Sequence, residues 1–255
     1  MSVRPKKALG QHFLADQNLL GVIGRLAELE SSDVVLEVGP GLGVLTRFLA
    51  ERTRCVHAIE LDRSLEGPLR EALEDADNVL LHFGDALAFD LAGLDPSPTK
   101  IVANLPYNIA TPFVVESLER APTVVRWCVM VQREIAERFF ARPGTKAYGA
   151  VSVLVQLATE KVASRPVPAT AFRPRPRVES ALVAFVRVPA PRDVQRLVEA
   201  AFAHRRKTLA NSVALAGLVT RGEAEAALEA IGKSLGVRAE ELSPDKWVRL
   251  AEHLG

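Results

Sequence analysis

The feature that most constrains this chain is the apolar run Asp33-Val34-Val35-Leu36-Glu37-Val38, followed at once by Gly39-Pro40-Gly41-Leu42-Gly43 and a helix-forming stretch over about 42–52. A short β-branched run of this kind, bounded by glycines, reads as a buried strand of a parallel sheet. The glycines let the backbone turn tightly and let a ligand lie against it. In open α/β sheets, ligands bind at the carboxyl ends of the strands. Two commoner loops do not fit. Val44 stands where the dinucleotide fingerprint needs its third glycine, and no Gly-Lys-Ser/Thr follows, as a P-loop would require.

The alternation continues beyond this unit. Strands are predicted over about 55–61, 78–83, 100–103 and 124–131, with helical sequence over 63–76 and 110–120. This pitch predicts a parallel sheet with helices on both faces, an α/β fold of the Rossmann-like class. Residues 132–158 read as helical. Two β-rich runs, 160–165 and 181–188, flank Phe172-Arg173-Pro174-Arg175-Pro176-Arg177, where proline forbids regular pairing. Pro189 and Pro191 mark a boundary. The expected domains are therefore 1–188, carrying the sheet, and 189–255, a small all-helical unit. Within the latter, Ser243-Pro244 suits a helix start. A length of 255 residues accommodates such a pair.

Net charge is only +1, but its distribution is uneven. Residues 1–120 carry 11 basic and 18 acidic side chains, whereas 121–210 carry 16 basic and 6 acidic. A basic middle of this kind is expected where a region meets a polyanion. Cys55 and Cys128 lie in apolar runs and read as buried thiols, with no disulfide framework and no Cys/His spacing for a metal. No apolar run reaches a membrane-spanning length, and the basic start leads into no signal-type stretch, so the expected location is cytoplasmic.

Three sites carry the chemistry. Glu60 ends the strand at 55–61, where a carboxylate can accept from both ribose hydroxyls, which suits NAD and S-adenosylmethionine equally. Asp85 follows the strand at 78–83 and can accept from an adenine amine. Asn104-Leu105-Pro106-Tyr107 ends the strand at 100–103. An adenine amine is a poor nucleophile because its lone pair is delocalised into the ring. Two acceptors on its N–H groups, the Asn104 side-chain oxygen and the Leu105 carbonyl, would favour a localised lone pair. Pro106 would stiffen the turn and Tyr107 would stack on the base. In-line attack on a sulfonium methyl then needs mainly positioning. This reading makes the chain an S-adenosylmethionine-dependent methyltransferase, with S-adenosylhomocysteine as the second product.

The chain resembles the KsgA family of small-subunit rRNA adenine dimethyltransferases. The resemblance rests on Lys7-Ala8-Leu9-Gly10-Gln11-His12-Phe13-Leu14, on Glu37 to Thr46, on Asn104 to Ile109, on Phe172 to Ala181, on Arg205 to Ser212 and on Arg238 to Pro244. It implies that His12 and Leu14 contact the cofactor, together with Gly39, Gly41, Glu60, Asp85 and Asn104. It implies that Asn104 and Tyr107 hold the target adenine, with Phe172 stacked on its other face. It also implies two adjacent dimethyladenosines near the 3′ end of 16S rRNA within an immature small subunit, a part in subunit biogenesis, and a monomer needing no metal or membrane. Arg173, Arg175 and Arg177 beside Phe172, and Arg205, Arg206 and Lys207 on a helix after Phe202, are the expected phosphate contacts. Arg133, Arg138, Arg142 and Lys146 would extend that surface.

Other readings differ in substrate or class. An Erm-type enzyme acting on 23S rRNA shares the glycine loop and the asparagine motif, though the Gly39–Gly43 form and the 205–212 segment favour the small subunit. A DNA adenine methyltransferase would require transfer to duplex DNA. The chain could instead act mainly as a ribosome-assembly factor with catalysis secondary or lost; the intact Asn104–Tyr107 motif argues against lost catalysis but not against a second role. A hydride-transfer enzyme sits badly with Val44.

Overall fold

The computed structural model describes residues 11–189, 194–204 and 206–255. Its main sheet has seven strands: β2 (Val34–Val38), β3 (Cys55–Glu60), β4 (Val79–Phe83), β5 (Lys100–Asn104), β6 (Arg126–Gln132), β7 (Thr159–Val167) and β9 (Ser180–Arg187), in the order β4-β3-β2-β5-β6-β9-β7. Two further short strands, β1 (Phe13–Leu14) and β8 (Phe172–Arg173), pair antiparallel with each other. The order reverses at β2, between β3 and β5, which is the switch point where such sheets bind ligands.

The sheet is mixed, and this corrects the expectation of a parallel one. β4, β3, β2, β5 and β6 run parallel, but β9 pairs antiparallel with β6, Ser180 opposite Gln132 and Arg126 opposite Val186. Because β9 runs backwards, its first residue lies at the edge where the parallel strands end.

β6 shows how both faces are covered. Successive side chains of a strand point to opposite faces. Trp127 stacks on its cross-strand partner Phe185 at 5.5 Å and donates its indole N–H to Ser117 Oγ on α4 (Ala110–Arg120), at 2.9 Å. The next residue, Cys128, faces α1 (Gln17–Ala27), its thiol 3.8 Å from the Ile23 carbonyl. Asp16 caps α1 by accepting from the Asn18 N–H at 2.9 Å. Cys55 and Cys128 are both buried and unpaired, and burial holds the Cys128 thiol up at about 12. No helix among the described residues is long and apolar enough to cross a membrane.

Contacts divide the chain into two units, but not at a single cut. The first comprises 1–136 with 161–187; the second comprises 137–160 with 188–255. The expected domains of 1–188 and 189–255 misassign residues 137–160. That segment carries α6 (Ala150–Ala158), whose Val153, with Leu154 and Leu157, packs into the second unit's core. The core is built around α7 (Val194–Phe202), α8 (Leu209–Leu215), α9 (Arg221–Ala230) and α10 (Pro244–Leu254). Tyr148 belongs to it too: its hydroxyl donates to the Leu242 carbonyl at 2.6 Å, and its ring meets Phe202, which in turn packs against Trp247. Ser243 does occupy the N-cap of α10 with Pro244 at the first turn, but its hydroxyl donates to the Asp245 carboxylate instead of capping a backbone N–H.

Candidate active site

A cavity opens at the carboxyl ends of β2, β3, β4 and β5, within the first unit. Its floor is the glycine loop between β2 and α2 (Val44–Ala50). Gly39, Gly41 and Gly43 all have positive φ, +74°, +60° and +80°. At Gly41 the absence of a side chain is enforced twice, since a Cβ there would also lie 2.7 Å from Phe13 Cδ1.

Glu60 stands at the tip of β3, 6% exposed. Its Oε2 accepts from the Gly41 N–H at 3.2 Å and its Oε1 from the Asp62 N–H at 2.8 Å. Burial raises its pKa, and these two bonds pull it partly back. Both oxygens are thereby fixed, and each keeps a lone pair for a ligand's hydroxyls. Asp85 lines the cavity beyond the end of β4, with one oxygen accepting from the Leu87 N–H at 3.0 Å.

Glu37 was not singled out in the sequence. It sits near the end of β2, 1% exposed, lining the cavity with its Oε2 unpartnered. Burial pushes its pKa up to about 8. The like charge of Glu60 adds to this, and the nearby Thr46 hydroxyl, though not in hydrogen-bond geometry, offsets part of it. The available signal was a lone acid inside an otherwise apolar strand.

The N-terminal segment crosses this cavity as a strap. Gln11 Nε2 donates to Asp62 Oδ2 at 3.0 Å, Leu14 pairs with Phe172, and His12 Nδ1 lies 2.7 Å from the Pro174 carbonyl. The strap also reaches the asparagine motif. Asn104 Nδ2 donates to the His12 carbonyl at 2.9 Å. A carbonyl can only accept, so the amide nitrogen must face it, and Oδ1 is left for another donor. The Leu105 N–H donates to the Met130 carbonyl at 3.1 Å, tying the motif to β6. Tyr107 lies half-buried, its ring 5.5 Å from that of His12 and its hydroxyl 2.6 Å from Ser180 Oγ.

Among the expected cofactor residues, His12, Leu14, Gly39, Gly41, Glu60, Asp85 and Asn104 all line this one cavity, as do Leu105, Pro106 and Tyr107. Phe172 does not. It is 2% exposed, pairs with Leu14 across β1 and β8, and belongs to the buried cluster that also holds Leu20, Val167 and Leu182. The pairing of β1 with β8 draws Phe172 into the core.

Arg173, Arg175 and Arg177 are exposed. Arg133 pairs with Glu179 at 2.7 Å. Arg206 and Lys207 are exposed too, but they occupy the turn between α7 and α8, not a helix; Arg205 lies outside the described residues. Among the described residues no cluster of three or more His, Cys, Asp or Glu side chains forms a metal site.

A glycine cradle, a fixed carboxylate at the tip of the neighbouring strand and an orphaned buried acid fit an elongated ligand with a diol and a cationic end. S-adenosylmethionine has both. Fold and site together define an S-adenosylmethionine-dependent methyltransferase. The sequence model of the family described as Ribosomal RNA adenine dimethylase matches residues 3–255. The chain is 49% identical to Ribosomal RNA small subunit methyltransferase A of Rubrobacter xylanophilus, over 97% of this chain and 94% of that one. It is 43% identical to the protein of that name from Kineococcus radiotolerans, over 99% and 87%. Among solved structures, a dimethyladenosine transferase from Plasmodium falciparum superposes with a TM-score of 0.77 at 24% identity, covering 94% of this chain and 96% of that one. The 23S rRNA methyltransferase ErmE superposes at 0.70 with 31% identity, covering 95% and 99%. The chain belongs to the ribosomal RNA adenine dimethylase family.

Proposed function

We propose that this enzyme dimethylates the exocyclic amines of two adjacent adenosines near the 3′ end of 16S rRNA. We place that act on an immature small subunit in the cytoplasm, as a monomer and as a step of subunit biogenesis. The observation that carries the chemistry is the one-sided anchoring of Asn104, whose amide nitrogen is held by the His12 carbonyl while its oxygen is left to accept. The small-subunit assignment leans on the relatives at 38–49% identity, all named for that subunit, against 31% for ErmE.

In this reading Glu60 holds the ribose hydroxyls of the cofactor, Asp85 its adenine amine, and the Gly39–Gly43 loop, His12 and Leu14 its amino-acid end. The unpartnered Glu37 Oε2 gives that cationic end a counter-charge. When bound, the cofactor supplies a methyl group on a positive sulfur. Asn104 Oδ1 and the Leu105 carbonyl accept from the target amine and aim its lone pair at that carbon, while Tyr107 backs the base, which must be unstacked to enter. A cofactor held there would supply its methyl group to this nitrogen, which Asn104 Oδ1 and the Leu105 carbonyl keep in line. The nitrogen becomes acidic and gives its proton to water, so no strong base is required. Arg173, Arg175, Arg177, Arg205, Arg206 and Lys207 contact RNA phosphates.

The test is methyl transfer from labelled S-adenosylmethionine to small subunits from a strain lacking the modification, with nucleoside mass analysis. Dimethyladenosine in 16S rRNA, absent with large subunits, is the expected result. Label in 23S rRNA instead would move the target to the large subunit, and label in neither would overturn the proposal.

A further inference from the structure

Ser180 is the first residue of β9 and wholly buried. Because β9 is antiparallel to its neighbour, this first residue lies where the parallel strands end, opposite Gln132 on β6. There its hydroxyl meets the hydroxyl of Tyr107 at 2.6 Å, a short contact between neutral groups. Tyr107 has two chain neighbours in the turn after β5, but its ring is otherwise positioned from outside. His12 lies against it at 5.5 Å, and Ser180 holds its far end. The two touch the ring at different places, so the Tyr107 ring cannot swing without breaking one of these contacts.

The value of a fixed ring differs between the two methyl transfers. An unmodified adenine amine has two N–H groups, one for each acceptor of the asparagine motif. After the first transfer only one N–H is left, so one acceptor loses its donor and the base is held more by its stacking wall. We propose that Ser180 is a positioning residue that fixes the Tyr107 ring and thereby sets the yield of the second methyl group. The argument rests on the adenine-dimethylation reading given above.

The experiment uses the full-length enzyme, labelled cofactor and unmethylated small subunits, and follows monomethyl- and dimethyladenosine separately in time. In Ser180→Ala the second transfer is expected to slow by roughly three- to tenfold, the worth of one neutral hydrogen bond. The first transfer and the KM for cofactor change much less, so monomethyladenosine accumulates. Ser180→Thr, which keeps the hydroxyl, restores the wild-type product ratio. Tyr107→Phe removes the same bond from the other side; adding Ser180→Ala to it has no further effect on the ratio, as expected for one shared interaction. If Ser180→Ala melts too early to assay, the ratio in Tyr107→Phe decides. A wild type that dimethylates alongside single variants with an unchanged ratio overturns the Ser180 assignment alone. An undiminished effect of Ser180→Ala in the Tyr107→Phe background does the same. A wild type that yields no dimethyladenosine overturns the underlying reading.

Discussion

Replacing Glu37 by glutamine tests the electrostatics of the cavity floor without any RNA. The carboxyl is buried and one oxygen has no partner, and burial pushes its pKa from the ordinary 4.5 up to about 8. Between those two values the folded protein holds a proton that the unfolded chain has given up. Stability therefore falls as pH rises through this window, by about 1.4 kcal/mol per pH unit at most. Integrated from pH 5.5 to 8.5, the loss is on the order of 3 kcal/mol from this one group. Glutamine has no proton to lose. Its buried amide costs something, but the same amount at every pH. Urea denaturation of cofactor-free wild type and Glu37→Gln, at half-unit steps across that range, is expected to give curves that diverge as pH rises, the variant gaining on the wild type. Parallel curves would refute the reasoning, because they would mean that the acid titrates alike in both states. Isothermal titration in two buffers of different ionisation heat extends the test: a cationic ligand beside Glu37 is expected to release a proton on binding near neutral pH.

Other substitutions separate the parts of the site. Asn104→Ala removes both the strap anchor and the acceptor, so methyl transfer is expected to fall at least a hundredfold while binding to small subunits stays near wild type; transfer at the wild-type rate would sink the proposed role. Gly41→Ala places a Cβ at φ +60° and 2.7 Å from Phe13. A cost of about 1 kcal/mol or more in stability is expected, with cofactor affinity down at least tenfold by equilibrium dialysis. Replacing Arg205, Arg206 and Lys207 together by alanine is expected to weaken subunit binding and to flatten the dependence of log affinity on log salt. An unchanged slope would show that these residues make no phosphate contacts.

The cavity was legible because each strand that lines it, β2 to β5, is a largely apolar run ending at or beside a glycine, an acid or an asparagine. β2 and β3 are buried at every position, a pattern that only a sheet covered on both faces permits. The direction of β9 was not legible, since a buried strand reads the same whether it runs parallel or antiparallel. The placement of residues 137–160 was hidden for a similar reason. A helix announces its apolar stripe but not which core receives it, and Val153, Leu154 and Leu157 would have suited either unit. The burial of Phe172 was not legible either, because an aromatic beside arginines reads as exposed and its pairing with Leu14 is remote in sequence. Glu37 and Ser180 were passed over because their meaning lies in an unpartnered oxygen and a cross-chain hydroxyl, neither of which is local in sequence.

The anchoring of Asn104 also bears on how this enzyme ages. Asparagine side chains are lost over time when the following backbone nitrogen attacks the amide, which leaves an acid in its place. Here that change would set a carboxylate oxygen against the His12 carbonyl, two acceptors where a donor had been, and would turn the motif away from its strap. The structure guards against it. The attacking nitrogen would be that of Leu105, which is already committed to the Met130 carbonyl at 3.1 Å and is held in line with β6. The same bond that seats the motif at the edge of the sheet thus keeps its key amide chemically intact.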